Sequence, residues 1–275
     1  MLLGYNTNGF AFHAFEDALR VIGGIGYRSV AITLDHHALD PYAGDHSTRV
    51  TRCRALLREL DLTPVVETGA RFLLDPWHKH SPTLLDEEAD GRKRRADFLR
   101  RAVEVAVGIR ARAVSIWSGA APAGASPEAL DARLVEALRA LCDHAQGRGV
   151  VIGLEPEPGM HVENMADYER IAAAVDHPAL GLTLDVGHAH ITEEPGAVAT
   201  VQRFASALVN VHLEGMSRTA HDHLPPWEGD LDVRAAWRAL EEAGYAGPAT
   251  FELSRHSHAA VEIARRAFEF LMGGG

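Results

Sequence analysis

Glu155, Asp185, His212 and Glu252 each lie at or near the end of a short β-rich run: VVIGLE, LGLTLD, LVNVH and ATFEL. Alternate residues of a strand share a face. One face of these runs carries Ile152 and Leu154, Leu182 and Leu184, Val209 and Val211, Phe251 and Leu253, an apolar set that belongs under helices. The other carries Gly153, Thr183, Asn210 and Thr250 and finishes in the two glutamates, the aspartate and the histidine. Three carboxylates gathered with one imidazole in a partly dry site repel strongly, and a divalent cation removes that repulsion. Mostly oxygen donors with a single nitrogen suit Mn2+ best, with Co2+, Mg2+ or Zn2+ as substitutes. One divalent metal ion is therefore the expected cofactor.

For four such residues to converge, the strands that carry them must be neighbours and must end on one side. Eight β-rich runs punctuate the chain, at 2–6, 29–34, 63–67, 113–117, 150–155, 180–185, 208–212 and 249–253, with helical stretches between them. Leu130, Leu134, Leu138 and Leu141 follow a Ser126 cap and Pro127 at the spacing of one helix face. Phe98, Ala102 and Val105 repeat the pattern, as do Val233, Trp237 and Leu240, and then Val261, Ala264, Phe268 and Leu271. Repeated β-then-α units mean parallel strands joined by crossover helices, and eight of them close a (β/α)8 TIM barrel of the α/β class. Barrel active sites form at the carboxyl ends of the strands. Pro156 and Pro158 mark such an end, since proline does not continue a central strand.

A doubly wound sheet would need a glycine-rich first turn, whereas the first turn here reads NTNGF. Gly23, Gly24 and Gly26 come after a helix, as a C-terminal cap does. With no Pro/Gly linker, residues 1–275 read as one domain. The long connection at 70–92 is placed to act as a lid over the barrel mouth.

Composition narrows the partners. The 275 residues are 47% hydrophobic and carry a formal charge of −11, a poor match for nucleic acid or an anionic membrane. Cys53 and Cys142 fit no disulfide framework, and there is neither a basic leader nor an apolar run near the ~18 residues of a membrane span. A cytoplasmic enzyme acting on a small polyhydroxylated molecule is the expectation. The basic run GRKRR (91–95) follows DEEAD and opens a helix, so it reads as a solvated face; MHVEN (160–164) is no zinc motif.

The segments GLEPEPG (153–159), LDVGHAH (184–190), VNVHLEG (209–215), HDHLPPWEGDLD (221–232) and FELSRHSH (251–258) together resemble the xylose-isomerase-like TIM barrels, the superfamily of sugar isomerases and epimerases and of endonuclease-IV-like repair enzymes. The resemblance covers nearly the whole chain and is specific for the superfamily rather than for one reaction. It implies that Glu155, Asp185, His212 and Glu252 are the four metal ligands, with Glu155 and Glu252 as the catalytic acid/base pair. His188 matches a substrate-binding histidine of the sugar enzymes or a ligand of a further metal in the repair enzymes. With His221 and His223 it forms either a substrate-hydroxyl site or a second metal site, for which three imidazoles favour Zn2+. Trp227 stands where the family's P-L-G-E-G loop has glycine. VVETG and SIWSG, ending the third and fourth strands, lack the histidines that hold the remaining zinc in the repair enzymes, which argues against a trinuclear centre. Relatives that pair through barrel helices imply a homo-oligomer.

A Lewis acid that holds a carbonyl and its neighbouring hydroxyl acidifies the C–H between them and stabilises an enediolate. One carboxylate removes the proton and another returns one. The expected activity is a divalent-metal-dependent isomerase or epimerase of a sugar, keto-sugar or cyclitol. A keto-sugar lyase or dehydratase begins with the same step, and a multi-zinc phosphoesterase is the third reading. Around the site, Glu157 reads as a substrate ligand or a helix cap, and one of His36 and His37 as a hydroxyl ligand. Arg255 reads as an anion ligand or an ion-pair partner, and Trp117 as a sugar platform or a plug of the barrel top.

Overall fold

The computed structural model describes residues 1–273. Its eight barrel strands are β1 (Leu2–Asn6), β2 (Ser29–Thr33), β3 (Thr63–Glu67), β4 (Ala113–Trp117), β5 (Val151–Glu155), β6 (Leu180–Asp185), β7 (Leu208–Leu213) and β10 (Pro248–Phe251). All pair in parallel, in that order around the ring, and β10 closes the barrel against β1. The (β/α)8 TIM barrel is thus the fold. Between the strands run α1 (Phe15–Ile25), α2 (His46–Glu59), α3 (Ala89–Ile109), α4 (Pro127–Gln146), α5 (Met165–Val175), α6 (Val186–Thr192), α7 (Gly196–Phe204), α8 (Val233–Glu242) and α9 (Ala260–Met272).

Local chemistry accounts for these elements. Ser126 Oγ accepts the Ala129 N–H at 3.2 Å and starts α4, with Pro127 in the first turn. Leu130, Leu134, Leu138 and Leu141 are all buried against the barrel, at roughly 1.5–3 kcal/mol each. The inward strand positions are small: a Cβ on Gly153 would lie 2.3 Å from Thr183 Oγ1. Larger polar side chains therefore collect at the strands' carboxyl ends.

Four expectations need revision. The last strand stops at Phe251, although the Glu252 N–H still donates to Leu213 O at 3.0 Å and keeps that residue in the ladder. HDH (221–223) lies outside the eight β-rich runs yet forms a strand: β9 (Ala220–Leu224) pairs with β8 (Gly215–Ser217) in an antiparallel hairpin above the barrel. The connection proposed for 70–92 is shorter, since residues 89–92 already belong to α3. GRKRR is only partly solvated. Lys93 faces Asp90 on the surface, but Arg92 donates to the carbonyls of Asp86 and Glu87, Arg94 to that of Leu74, and Arg95 is buried. These arginines tie the segment before α3 to the helix.

Candidate metal centre

Neighbouring strands set the register of the site. Asp185 pairs with His212, and His212 with Thr250 two residues before Glu252. One donor atom from each of Glu155, Asp185, His212 and Glu252 lies within 4.8 Å of the others. His212 is the hub. Its Nδ1 is 3.1 Å from Glu155 Oε1, 2.9 Å from Glu252 Oε2 and 3.8 Å from Asp185 Oδ2. Asp185 Oδ1 caps α6 by accepting the N–H groups of Gly187 and His188, which leaves its buried Oδ2 without a partner. An orphaned carboxylate oxygen beside two glutamates and an imidazole is costly unless a cation is present. The residues fit a divalent ion.

Two further side chains support this set. Glu67, at the end of β3, lies 3.0 Å from His212 Nε2 through Oε1, which also accepts from Asn210 Nδ2 at 2.9 Å. The Nε2–H of His212 is thereby donated away from the site, and Nδ1 faces the carboxylates. Asn8, after β1, donates from Nδ2 to Glu252 Oε1 at 2.7 Å.

Burial and charge push the metal-free groups apart. Burial raises the Glu155 pKa to about 8, against the pull of His212. Burial also acts on Glu252, but His212, His223 and His188 outweigh it and hold that carboxyl well below its ordinary value. For His212, burial opposes the charged form and is overcome by Glu67, Glu155 and Glu252, so the pKa lies well above 6.5. Burial raises the Glu157 pKa to about 7.

The β8–β9 hairpin brings His221 and His223 over His188. His188 and His221 place their Nε2 atoms 2.9 Å apart, and one donor atom from each of the three histidines lies within 4.8 Å of the others. His188 Nδ1 faces Pro156 O at 3.1 Å, and His223 Nδ1 faces the buried Glu214. Glu214 has its room because residue 187 is glycine: a Cβ there would meet Glu214 Oε1 at 2.2 Å. His190 Nε2, 2.5 Å from Asp230 Oδ1, holds α6 to the loop after the hairpin.

These groups surround a cavity of about 570 Å³ at the barrel mouth. Glu157 and Trp117 line it, and Arg95 stacks behind Trp117, 4.8 Å from the ring centroid. Arg255 lines it too, already paired with Asp222. His36 does not. It is exposed, 3.7 Å from Asp40, and lines a separate depression with Tyr42 and Leu74, because the turn from Asp35 to Ala38 carries it outward. His37 sits in a small recess beside Asp35 and Arg71.

Sequence reasoning missed Glu67, Glu214, Asn8, Arg71 and Lys79. The period-two alternation used for the later strands turns Glu67 inward at the end of β3, and Glu214 shares parity with His212, so both could have been found. Nothing local marks the others.

No helix among the described residues is long and apolar enough to cross a membrane. Residues 6–273 match the family described as xylose isomerase-like TIM barrel. Fructoselysine 3-epimerase of Shigella flexneri is 26% identical over 165 residues, 59% of this chain and 59% of that protein. The 3-dehydroshikimate dehydratase of Pseudomonas putida is 28% identical over 147 residues, 50% of this chain but 23% of that protein. The matches thus span less than two thirds of these relatives' lengths. Among solved structures, the IOLI protein with a zinc atom superposes with a TM-score of 0.80 at 18% identity, covering 99% of this chain and 98% of that one.

Proposed function

The chain belongs to the xylose isomerase-like TIM barrel family, and from there we propose that it is a divalent-metal-dependent isomerase or epimerase of a sugar, keto-sugar or cyclitol. The observation that carries this reading is the convergence of Glu155, Asp185, His212 and Glu252 on one point at the barrel mouth. An epimerase and a dehydratase among the relatives fit a shared first step, removal of a proton beside a carbonyl.

Those four residues would hold the ion, Mn2+ by donor chemistry, with the zinc in the IOLI structure supporting Zn2+ as a substitute. When bound, it supplies Lewis acidity toward a carbonyl and its neighbouring hydroxyl. Glu155 and Glu252, from β5 and β10 three places apart around the ring, flank the substrate; one removes the proton and the other returns one. Asn8 keeps the Glu252 carboxylate aimed at the cavity. Glu157 and Trp117 bind the polyhydroxylated body of the substrate, and the connection from residue 70 to the start of α3 covers it. A proton transfer of this kind contributes about 10²–10⁴-fold.

The test is solvent exchange. In D2O with Mn2+, a panel of keto-sugars and keto-cyclitols should take up deuterium at the carbon beside the carbonyl, and Glu155→Gln should abolish the uptake. Retained exchange in that variant rules out the acid/base role of Glu155. A product lighter by one water assigns the chain to the dehydratases, which use the same site.

A second reading concerns His188, His221 and His223, whose converging nitrogens fit a second ion, preferentially Zn2+. Elemental analysis finding more than one metal per chain, reduced in His221→Ala, supports it; a single metal leaves these histidines to substrate hydroxyls.

A further inference from the structure

The floor of the cavity, Glu67 at the end of β3 included, is acidic, but the wall that rises from the segment after β3 is not. Arg71 and Lys79 line that wall from the segment after β3. The Arg71 guanidinium donates from Nη2 to Asn8 O at 2.9 Å, and its nearest carboxylate, Asp35, stands 3.8 Å away, beyond hydrogen-bonding reach. Lys79, one of two lysines in the chain, makes no ion pair among the described residues. Behind the wall lies Arg95, 1% exposed. It donates from Nη2 to Thr68 O at 2.8 Å and stacks on Trp117 and Phe98, while its Nη1 has no partner and no carboxylate pairs with it among the described residues.

His80 lines the same wall. Burial holds its pKa below the ordinary value against the pull of the Gly69 carbonyl, with Lys79, Arg95 and Arg71 adding to the depression. On the other side of the mouth, Arg255 is neutralised by Asp222. Two cations without full counter-charges, Arg71 and Lys79, therefore line one wall with Arg95 buried behind it, in a chain of formal charge −11. A buried guanidinium satisfied only by a carbonyl and aromatic faces keeps its positive field, and that field acts across a cavity wall of low polarisability.

We propose that the substrate carries an anionic group, carboxylate or phosphate, held by Arg71 and Lys79 in the field of Arg95 while its carbonyl lies over Glu155 and Glu252. This rests on the isomerase reading and narrows its substrate class. Arg71 is joined to Glu252 through the single residue Asn8. Arg71, Lys79 and the acidic floor line one cavity of about 570 Å³, within the size range of small-molecule sites. The same geometry sets the orientation: the charged end lies toward the 70–80 segment, and the hydroxyl-bearing end toward His188 and His221.

Calorimetric titration of the full chain, with Mn2+ and without added metal, against D-fructose, 2-keto-D-gluconate and D-fructose 6-phosphate tests it. The first two differ only by a carboxylate in place of a hydroxymethyl group, and the third adds a phosphate. At least one anion should bind about tenfold or more tightly than D-fructose. Raised salt should reduce that preference, and R71Q/K79Q should largely remove it. Lys79→Gln alone, at an exposed position, should lower the preference by about threefold even if Arg71→Gln disturbs the fold. Preference for 2-keto-D-gluconate assigns a sugar acid, and preference for D-fructose 6-phosphate a sugar phosphate. Equal affinity for all three, or a preference untouched by both substitutions, overturns the proposal. Deuterium exchange on neutral sugars alone would keep the isomerase reading and discard the anion; anion-selective binding without exchange on any compound would do the reverse.

Discussion

Glu67 Oε1 lies 3.0 Å from Nε2 of His212, on the opposite edge of the imidazole from Glu155 and Glu252. The carboxylate accepts one ring proton and so decides which nitrogen faces the cavity. Removing such a partner of a metal-ligating histidine typically costs about 10–100-fold in metal affinity. Glu67→Ala should weaken Mn2+ binding by that factor, with Glu67→Gln, which still offers an oxygen, falling between. Titration calorimetry measures both. Unchanged affinity in both variants would remove Glu67 from the site's support.

Metal-free protein should lose stability as pH rises. Glu155 and Glu157 have folded-state pKa values of about 8 and about 7, above the ordinary 4.5. Between 4.5 and those values the folded chain holds protons that the unfolded chain has released, so stability falls with rising pH across that window. Below 4.5 both states are protonated and these groups add no slope. Buried His188, with its pKa lowered to about 4, opposes that downward slope below 6.5. Melting of chelated protein at pH 6.5, 7, 7.5 and 8 should therefore show Tm dropping along the series, with added Mn2+ opposing the drop. A chelated Tm that climbs from pH 6.5 to 8 contradicts the buried, protonated Glu155.

Removing the ion should itself destabilise the fold. An ion bound to the native state alone, at 100 times its Kd, adds about 2.7 kcal/mol. EDTA should lower Tm by several degrees in the wild type and leave Asp185→Asn, which removes one of the four proposed ligands, nearly unaffected. An EDTA response preserved in Asp185→Asn would place the stabilising ion elsewhere.

Gly187→Ala puts a methyl group where Glu214 Oε1 stands 2.2 Å away. The carboxylate must move, and with it the imidazole of His223. Overpacking of this kind costs about 1–3 kcal/mol. A lower denaturation midpoint with Mn2+ binding at the four-residue site retained is the expected outcome; an unchanged midpoint would mean that the segment after β6 yields freely.

The strand-end residues of β5, β6 and β7 were legible because period-two alternation and barrel closure act on every strand alike. Glu252 was equally legible, although its strand ends one residue earlier. Arg95 shows where reading by residue type fails. It shares a helix face with Phe98, Leu99 and Ala102, a spacing that places it inside, yet its charge and its basic neighbours made it look solvated. His36 failed for a different reason: a tight turn can send adjacent side chains to opposite sides, and no periodicity applies there. Arg71 and Lys79 reach the cavity through an irregular segment whose course depends on backbone carbonyls held by Arg92 and Arg94.

The donors around His212 come from β3, β5, β6 and β10, and β10 is also the strand that seals the ring against β1. A chain folding from its amino end gathers mutually repelling carboxylates long before the last of them arrives. Ion capture is then a signal of finished assembly: a chain stalled short of its final β/α unit would bind weakly and reversibly, and holding Mn2+ would distinguish completed barrels from those still open.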